Sequence, residues 1–152
     1  MTSGFRLGNE SGDRLEVKVF ARQHPDKTDY WDGNWLTAQV SVVAGPWTGA
    51  YRADLRAGEF AAFRDQLQRL YDNPAGSEAT FESMEPWLRF SVKRTDALGH
   101  VEVRGESRAE PFLEGCNVLS FVLEIDQSFL PVALHGLVEL LASFPVLGSP
   151  DD

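Results

Sequence analysis

Residues 47–72 read WTGAYRADLRAGEFAAFRDQLQRLYD, and two periods meet inside that run. From Trp47 to Arg56 the chain alternates. Trp47, Tyr51, Ala53 and Leu55 face one way, and Arg52, Asp54 and Arg56 face the other. Period two with one polar face is a strand half-buried on a core. Beyond it the spacing lengthens. Phe60, Phe63, Leu67, Leu70 and Tyr71 make one stripe of a helix over 58–72, with Arg64, Asp65, Gln68 and Arg69 on the wet side. Asp72-Asn73-Pro74 with Gly76 then stops that helix. A strand that feeds an amphipathic helix needs an apolar sheet face to receive it, so the fold class is α+β.

Working outward, alternation predicts strands over 14–20, 34–44, 77–83, 87–95, 100–108 and 116–126, in addition to 47–56. In 14–20, Leu15, Val17 and Val19 point inward. In 116–126, Leu119, Phe121, Leu123 and Ile125 do, while Val118 and Val122 opposite them suggest cover on both sides. Gly45-Pro46 is a turn, residues 22–33 form a polar loop, and Asp96 to Gly99 close a hairpin. A second helix spans 128–143, with Ser128 as N-cap and Leu130, Leu134, Leu137, Val138 and Leu141 as its stripe. The expected architecture is one domain over residues 1–152. It holds a single antiparallel sheet of about six to eight strands with two helices on one face. An echo at an offset of 70 residues aligns Asp54-Leu55 with Glu124-Ile125, and Phe60, Leu67 and Leu70 with Leu130, Leu137 and Leu140. Helical stripes recur by physics alone, so the echo is read as recurrence rather than duplication.

Composition bounds the function classes. The 152 residues are 43% hydrophobic and 24% charged, as in an ordinary globular domain. One cysteine, Cys116, excludes an intrachain disulfide and a multi-cysteine zinc site. The net charge is −9, and residues 101–152 hold nine acids against Arg104 and Arg108. Such a field repels a phosphate backbone and steers in a basic partner, so direct nucleic-acid binding is not expected. Met1–Glu10 has no secretory pattern, and the apolar stretch from Leu130 to Leu147 is broken by Pro131, His135, Glu139 and Pro145. The expectation is a cytoplasmic protein with no membrane span.

The densest unusual cluster is Asp29-Tyr30-Trp31-Asp32-Gly33-Asn34-Trp35-Leu36. Rigid rings beside polar groups suit a recognition surface. The same residues also suit a turn in which Asp32 and Asn34 bond their own backbone around Gly33. Both readings stay open, and Asp29, Trp31, Asp32 and Trp35 are candidate partner contacts. A second candidate surface is acidic: Glu102 and Glu106 on the outer face of strand 100–108, with Glu110 and Glu114 in the loop after it. The mixed face Glu102, Arg104, Glu106, Arg108 equally reads as a strand protected by charge. His24 with Asp26, Asp29 and Asp32 matches no metal-ligand spacing. No nucleophile elbow, phosphate loop or dinucleotide fingerprint is present. Cys116, beside Glu114 and Asn117, lacks an electropositive setting, and Glu82 and Glu85 read as separate positions on a turn. No catalytic residue, cofactor or metal is expected. The alternative is a small enzyme or ligand-binding module using the 22–35 loop.

Five segments in order, DYWDGNWL (29–36), FAAFRDQLQRLY (60–71), ESMEPWLRFSV (82–92), GHVEVRGESR (99–108) and LEIDQSFLPVALHGLVELLASFPV (123–146), resemble the WapI-type immunity proteins and related bacterial domains. The resemblance spans roughly Leu15 to Val146 and carries no catalytic signature. It implies a cytoplasmic antidote whose partner is a cognate toxin domain, the C-terminal module of a cell-wall-associated or contact-delivered toxin. In the type system that module is a tRNA-directed nuclease. A nuclease surface built for phosphates tends to be basic, which agrees with the charge of this chain.

Overall fold

The computed structural model describes residues 3–73, 75 and 77–151. Pro74 and Gly76 of the expected helix stop, and Asp152 of the acidic tail, lie outside the described residues. The elements run β1 (Ser3–Gly8), β2 (Arg14–Arg22), α1 (Tyr30–Gly33), β3 (Trp35–Ala44), β4 (Trp47–Arg56), α2 (Ala57–Asp72), β5 (Glu78–Glu82), β6 (Leu88–Arg94), β7 (His100–Ser107), β8 (Leu119–Asp126) and α3 (Phe129–Ser143). The strands form two four-stranded antiparallel sheets, β1-β2-β3-β4 and β5-β6-β7-β8. This corrects the expected single sheet. Alternation sets which face of a strand is wet, and says nothing of which strands pair.

The expected strands and helices are all present, with ends displaced by up to three residues. Two elements are additional. β1 has only Phe5 and Leu7 as inward residues, between Gly4 and Gly8. α1 is a single turn inside the expected 22–33 loop. Five inward or covered assignments are corrected as well. Trp47 is 67% exposed, Tyr71 on α2 and Val138 on α3 face solvent, and Val118 and Val122 are exposed, so β8 is covered on one side only. Ser128 makes no side-chain cap; instead its backbone N–H donates to the Asp126 carboxylate.

The chain is a duplicated plan: four meandering strands and a helix, twice. The echo at 70 residues is therefore structural. Phe60, Phe63, Leu67 and Leu70 of α2 correspond to Leu130, Ala133, Leu137 and Leu140 of α3, and every one is buried. Each helix leaves its own sheet and lies along the first strand of the other half, α2 on β5 and α3 on β1, and the two helices pack on each other. Both sheets and both helices close on one core. At its centre Phe5 meets Phe60, Phe63 and Phe90, and Phe81 stacks on Phe90 with centroids 5.3 Å apart. Each ring buried there contributes about 1.5–3 kcal/mol.

Candidate functional site

The aromatic turn is built around a cation. Asp29 caps α1, its Oδ2 accepting from the Asp32 N–H at 3.0 Å. Asn34 is buried and ties the turn to the end of the chain. Its Nδ2 donates to the Tyr30 and Leu147 carbonyls, and its Oδ1 accepts from the Leu147 N–H. Arg56, opposite Trp35 across β3–β4, is 5% exposed. Its guanidinium lies 4.9, 5.4 and 5.5 Å from the Tyr30, Trp31 and Trp35 ring centroids, and its Nη2 donates to the Tyr30 carbonyl at 2.7 Å. A desolvated cation over ring faces is held by their quadrupoles. Of the four sequence candidates here, Asp29 is a cap, Trp35 packs on Arg56, and Trp31 and Asp32 are exposed. Arg56 was missed because it sits in an alternating strand, where it reads as another wet residue. Three rings gathered in one short turn were the available signal.

Beside that turn Glu59 opens α2. Its Oε1 accepts from the Arg56 N–H at 2.8 Å and its Oε2 from the Met84 N–H at 2.6 Å, so one carboxylate bridges the two halves. Desolvation pushes its pKa up to about 7 against those two hydrogen bonds. Tyr30, Arg56, Glu59, Gln66 and Met84 line an open cleft of about 530 Å³. His24, Asp26, Asp29 and Asp32 are all exposed on the surface. Among the described residues no group of three His, Cys, Asp or Glu is placed to hold a metal ion.

The acidic candidates of the second half separate into two kinds. Glu102 is shared by Arg104, at 3.2 Å, and Lys93, at 3.8 Å across the β6–β7 pair. The Arg104 hydrogen bond, ahead of every other cause, holds its carboxyl below the ordinary range. Glu106 meets Arg108 at 3.1 Å. Their charge is thus compensated locally. Glu110 and Glu114 are exposed on the loop between β7 and β8, and neither carboxylate meets a cation among the described residues. Between them Phe112 and Leu113 are 68% and 57% exposed. Cys116 is half-buried on the same loop, its N–H bonded to the Leu113 carbonyl.

This loop is anchored to the first half. Phe112 packs edge-on against Trp87, centroids 5.9 Å apart, and the Trp87 carbonyl accepts from the Tyr51 hydroxyl of β4 at 2.7 Å. Burial pushes the Tyr51 phenol up to about 12, so it stays a neutral donor. Elsewhere His100 bonds Asp96 at the β6–β7 turn, which raises the imidazole and lowers the carboxyl. His135 pairs with Glu139 in solvent on α3. Among the described residues no helix is long and apolar enough to cross a membrane.

A search of curated proteins gives no significant match to this chain. A protein-family model does match, and it covers residues 6–145, from β1 through the end of α3. With the aromatic turn, the strands β2 to β8 and the β7–β8 loop inside that span, the chain belongs to the immunity protein WapI-like family.

Proposed function

We propose that the protein is a non-enzymatic, cytoplasmic immunity protein that holds a cognate toxin module through the β7–β8 loop and covers the module's working surface. The observation that carries this reading is the pair of uncompensated carboxylates, Glu110 and Glu114, flanking exposed Phe112 and Leu113. Large apolar anchors ringed by charge are the composition of an interface centre and its rim. The net charge of −9 steers a basic partner toward it. A nuclease-like module, basic because it must hold phosphates, fits that field. Glu102 and Glu106, already paired with cations, contribute background potential. Asp29, Trp31, Asp32 and Trp35 form a secondary patch, in which exposed Trp31 and Asp32 are the contacts.

The test is neutralisation in cells. The C-terminal module encoded immediately upstream is produced with and without this chain. Growth arrest by the module alone, relieved by the chain, is the expected result. A harmless module, or arrest that the chain does not relieve, contradicts the reading.

A further inference from the structure

Two edges of the two sheets lie under helices, and two are open. The β1 edge lies under α3, where the Gly4 carbonyl faces Gly136. The β5 edge lies under α2, where the Thr80 N–H donates to Gln66 Oε1 at 3.0 Å. β8 is open over Leu119 to Leu123 and ends in Glu124 and Asp126. β4 is the other open edge. Its register with β3 runs ten pairs without a bulge, and its first five residues, Trp47 to Tyr51, hold neither charge nor proline. Sheet edges are ordinarily protected by one of those devices.

The hydrogen-bond phase of β4 follows from its turn. Gly45-Pro46 is a two-residue connection with Gly45 at φ +59°, so the flanking pair Ala44–Trp47 is a hydrogen-bonded pair. The bonded positions are then Trp47, Gly49, Tyr51, Ala53 and Leu55. The backbone N–H and C=O of Thr48, Ala50 and Arg52 point away from β3, toward the open edge. Two observations fix this phase independently. The Arg56 N–H, in the same phase as Ala50, is taken by Glu59 and not by β3, and the Ala57 N–H, in the opposite phase, bonds Asn34 across the ladder. No bond from another element reaches the backbone of Thr48, Ala50 or Arg52 among the described residues, and all three residues are exposed.

We infer that the β4 edge, Trp47 to Arg52, accepts an extended strand of the toxin module, which adds to the first sheet as a fifth strand. This rests on the toxin-binding reading above. Donors and acceptors repeating at every second residue are satisfied by an extended polypeptide. Small Thr48 and Ala50 leave the outer side open to bulky side chains, and Trp47 offers an apolar flank on the other. The occupant is the toxin because the edge is continuous with the loop already assigned to it, through Tyr51, Trp87 and Phe112. A second copy would bring two chains of charge −9 together.

The test is residue-resolved amide exchange on the full chain, free and with the module encoded immediately upstream. Thr48, Ala50 and Arg52 exchange fast when free and slow at least about tenfold in the complex, while Gly49 and Tyr51 are slow in both. Ala50→Pro removes one outward donor and leaves the β3 ladder intact, and it weakens module binding by about tenfold or more. Val122→Lys on β8 leaves binding unchanged. If Ala50→Pro does not fold, the exchange pattern of the native chain decides. A module that binds while the three amides stay fast overturns the strand assignment alone. A module that does not bind overturns the toxin reading together with it. Slow amides in a free chain of doubled mass give the edge to a second copy and also overturn the inference.

Discussion

The two halves share a backbone plan and close it by opposite means. At one helix–strand seam, α3 meets β1 through glycine: a Cβ at Gly136 would stand 2.4 Å from the Gly4 carbonyl oxygen. At the corresponding seam, α2 meets β5 through the Gln66 side chain, which accepts from the Thr80 N–H. The strand-to-helix junctions differ as sharply. Arg56 faces Trp35 and is buried under three rings. Its counterpart 70 residues on, Asp126, faces His100 in solvent and caps Ser128. A shared plan fixes which positions are apolar. It leaves the polar chemistry of each half free, and that freedom is where the two outer surfaces diverge.

The seams give the largest expected effect. Gly136→Val forces backbone apart where nothing flexible can yield, and should lower the unfolding free energy by about 3 kcal/mol. Denaturant unfolding checks this. A loss under about 1 kcal/mol would mean that the seam is loose. Next is the buried cation. Arg56→Ala removes the guanidinium from three rings and its bond to Tyr30, at a cost of about 2–3 kcal/mol. Arg56→Lys should recover only part of it, because an ammonium lacks the planar stacking surface.

Glu59 gives a pH-dependent contrast between the halves it bridges. Its carboxyl titrates at about 7 in the folded protein, against an ordinary 4.5. Between those values the folded state holds the proton more tightly than the unfolded one. Stability from this group is therefore present at low pH, is lost as pH rises through that window, and is flat above it. The stability gap between wild type and Glu59→Gln should shift by about 2 kcal/mol between pH 5 and pH 8, with wild type relatively better at pH 5. A gap independent of pH would refute the assignment. The smallest effect is at the polar seam. Gln66→Ala leaves the Thr80 N–H without its partner and should cost about 1 kcal/mol, with faster exchange of that amide.

Much of this was legible in the chain. Strict alternation marked seven of the eight strands, and the stripes from Phe60 and Leu130 marked both long helices. β1 was not legible, because two inward residues between glycines are too short a pattern. The one-turn α1 has no periodicity to read, although Asp29 carries its cap. Two sheets look like one because pairing is decided by long-range closure of the core, to which local period is blind. The site was legible in outline only. Glu102 looks like Glu110 in sequence, yet Arg104 two residues on and Lys93 across the ladder neutralise it. Nothing local revealed that Tyr51 reaches Trp87, or that Phe112 packs edge-on against Trp87.

Titration calorimetry of the chain with the upstream-encoded module, wild type against the double variant Glu110→Lys/Glu114→Lys, tests the toxin-binding account most directly. The account predicts tight binding that weakens between low salt and about 0.15 M, and a loss of about 100-fold or more on charge reversal. Equal affinity for wild type and variant, at either salt, would contradict it.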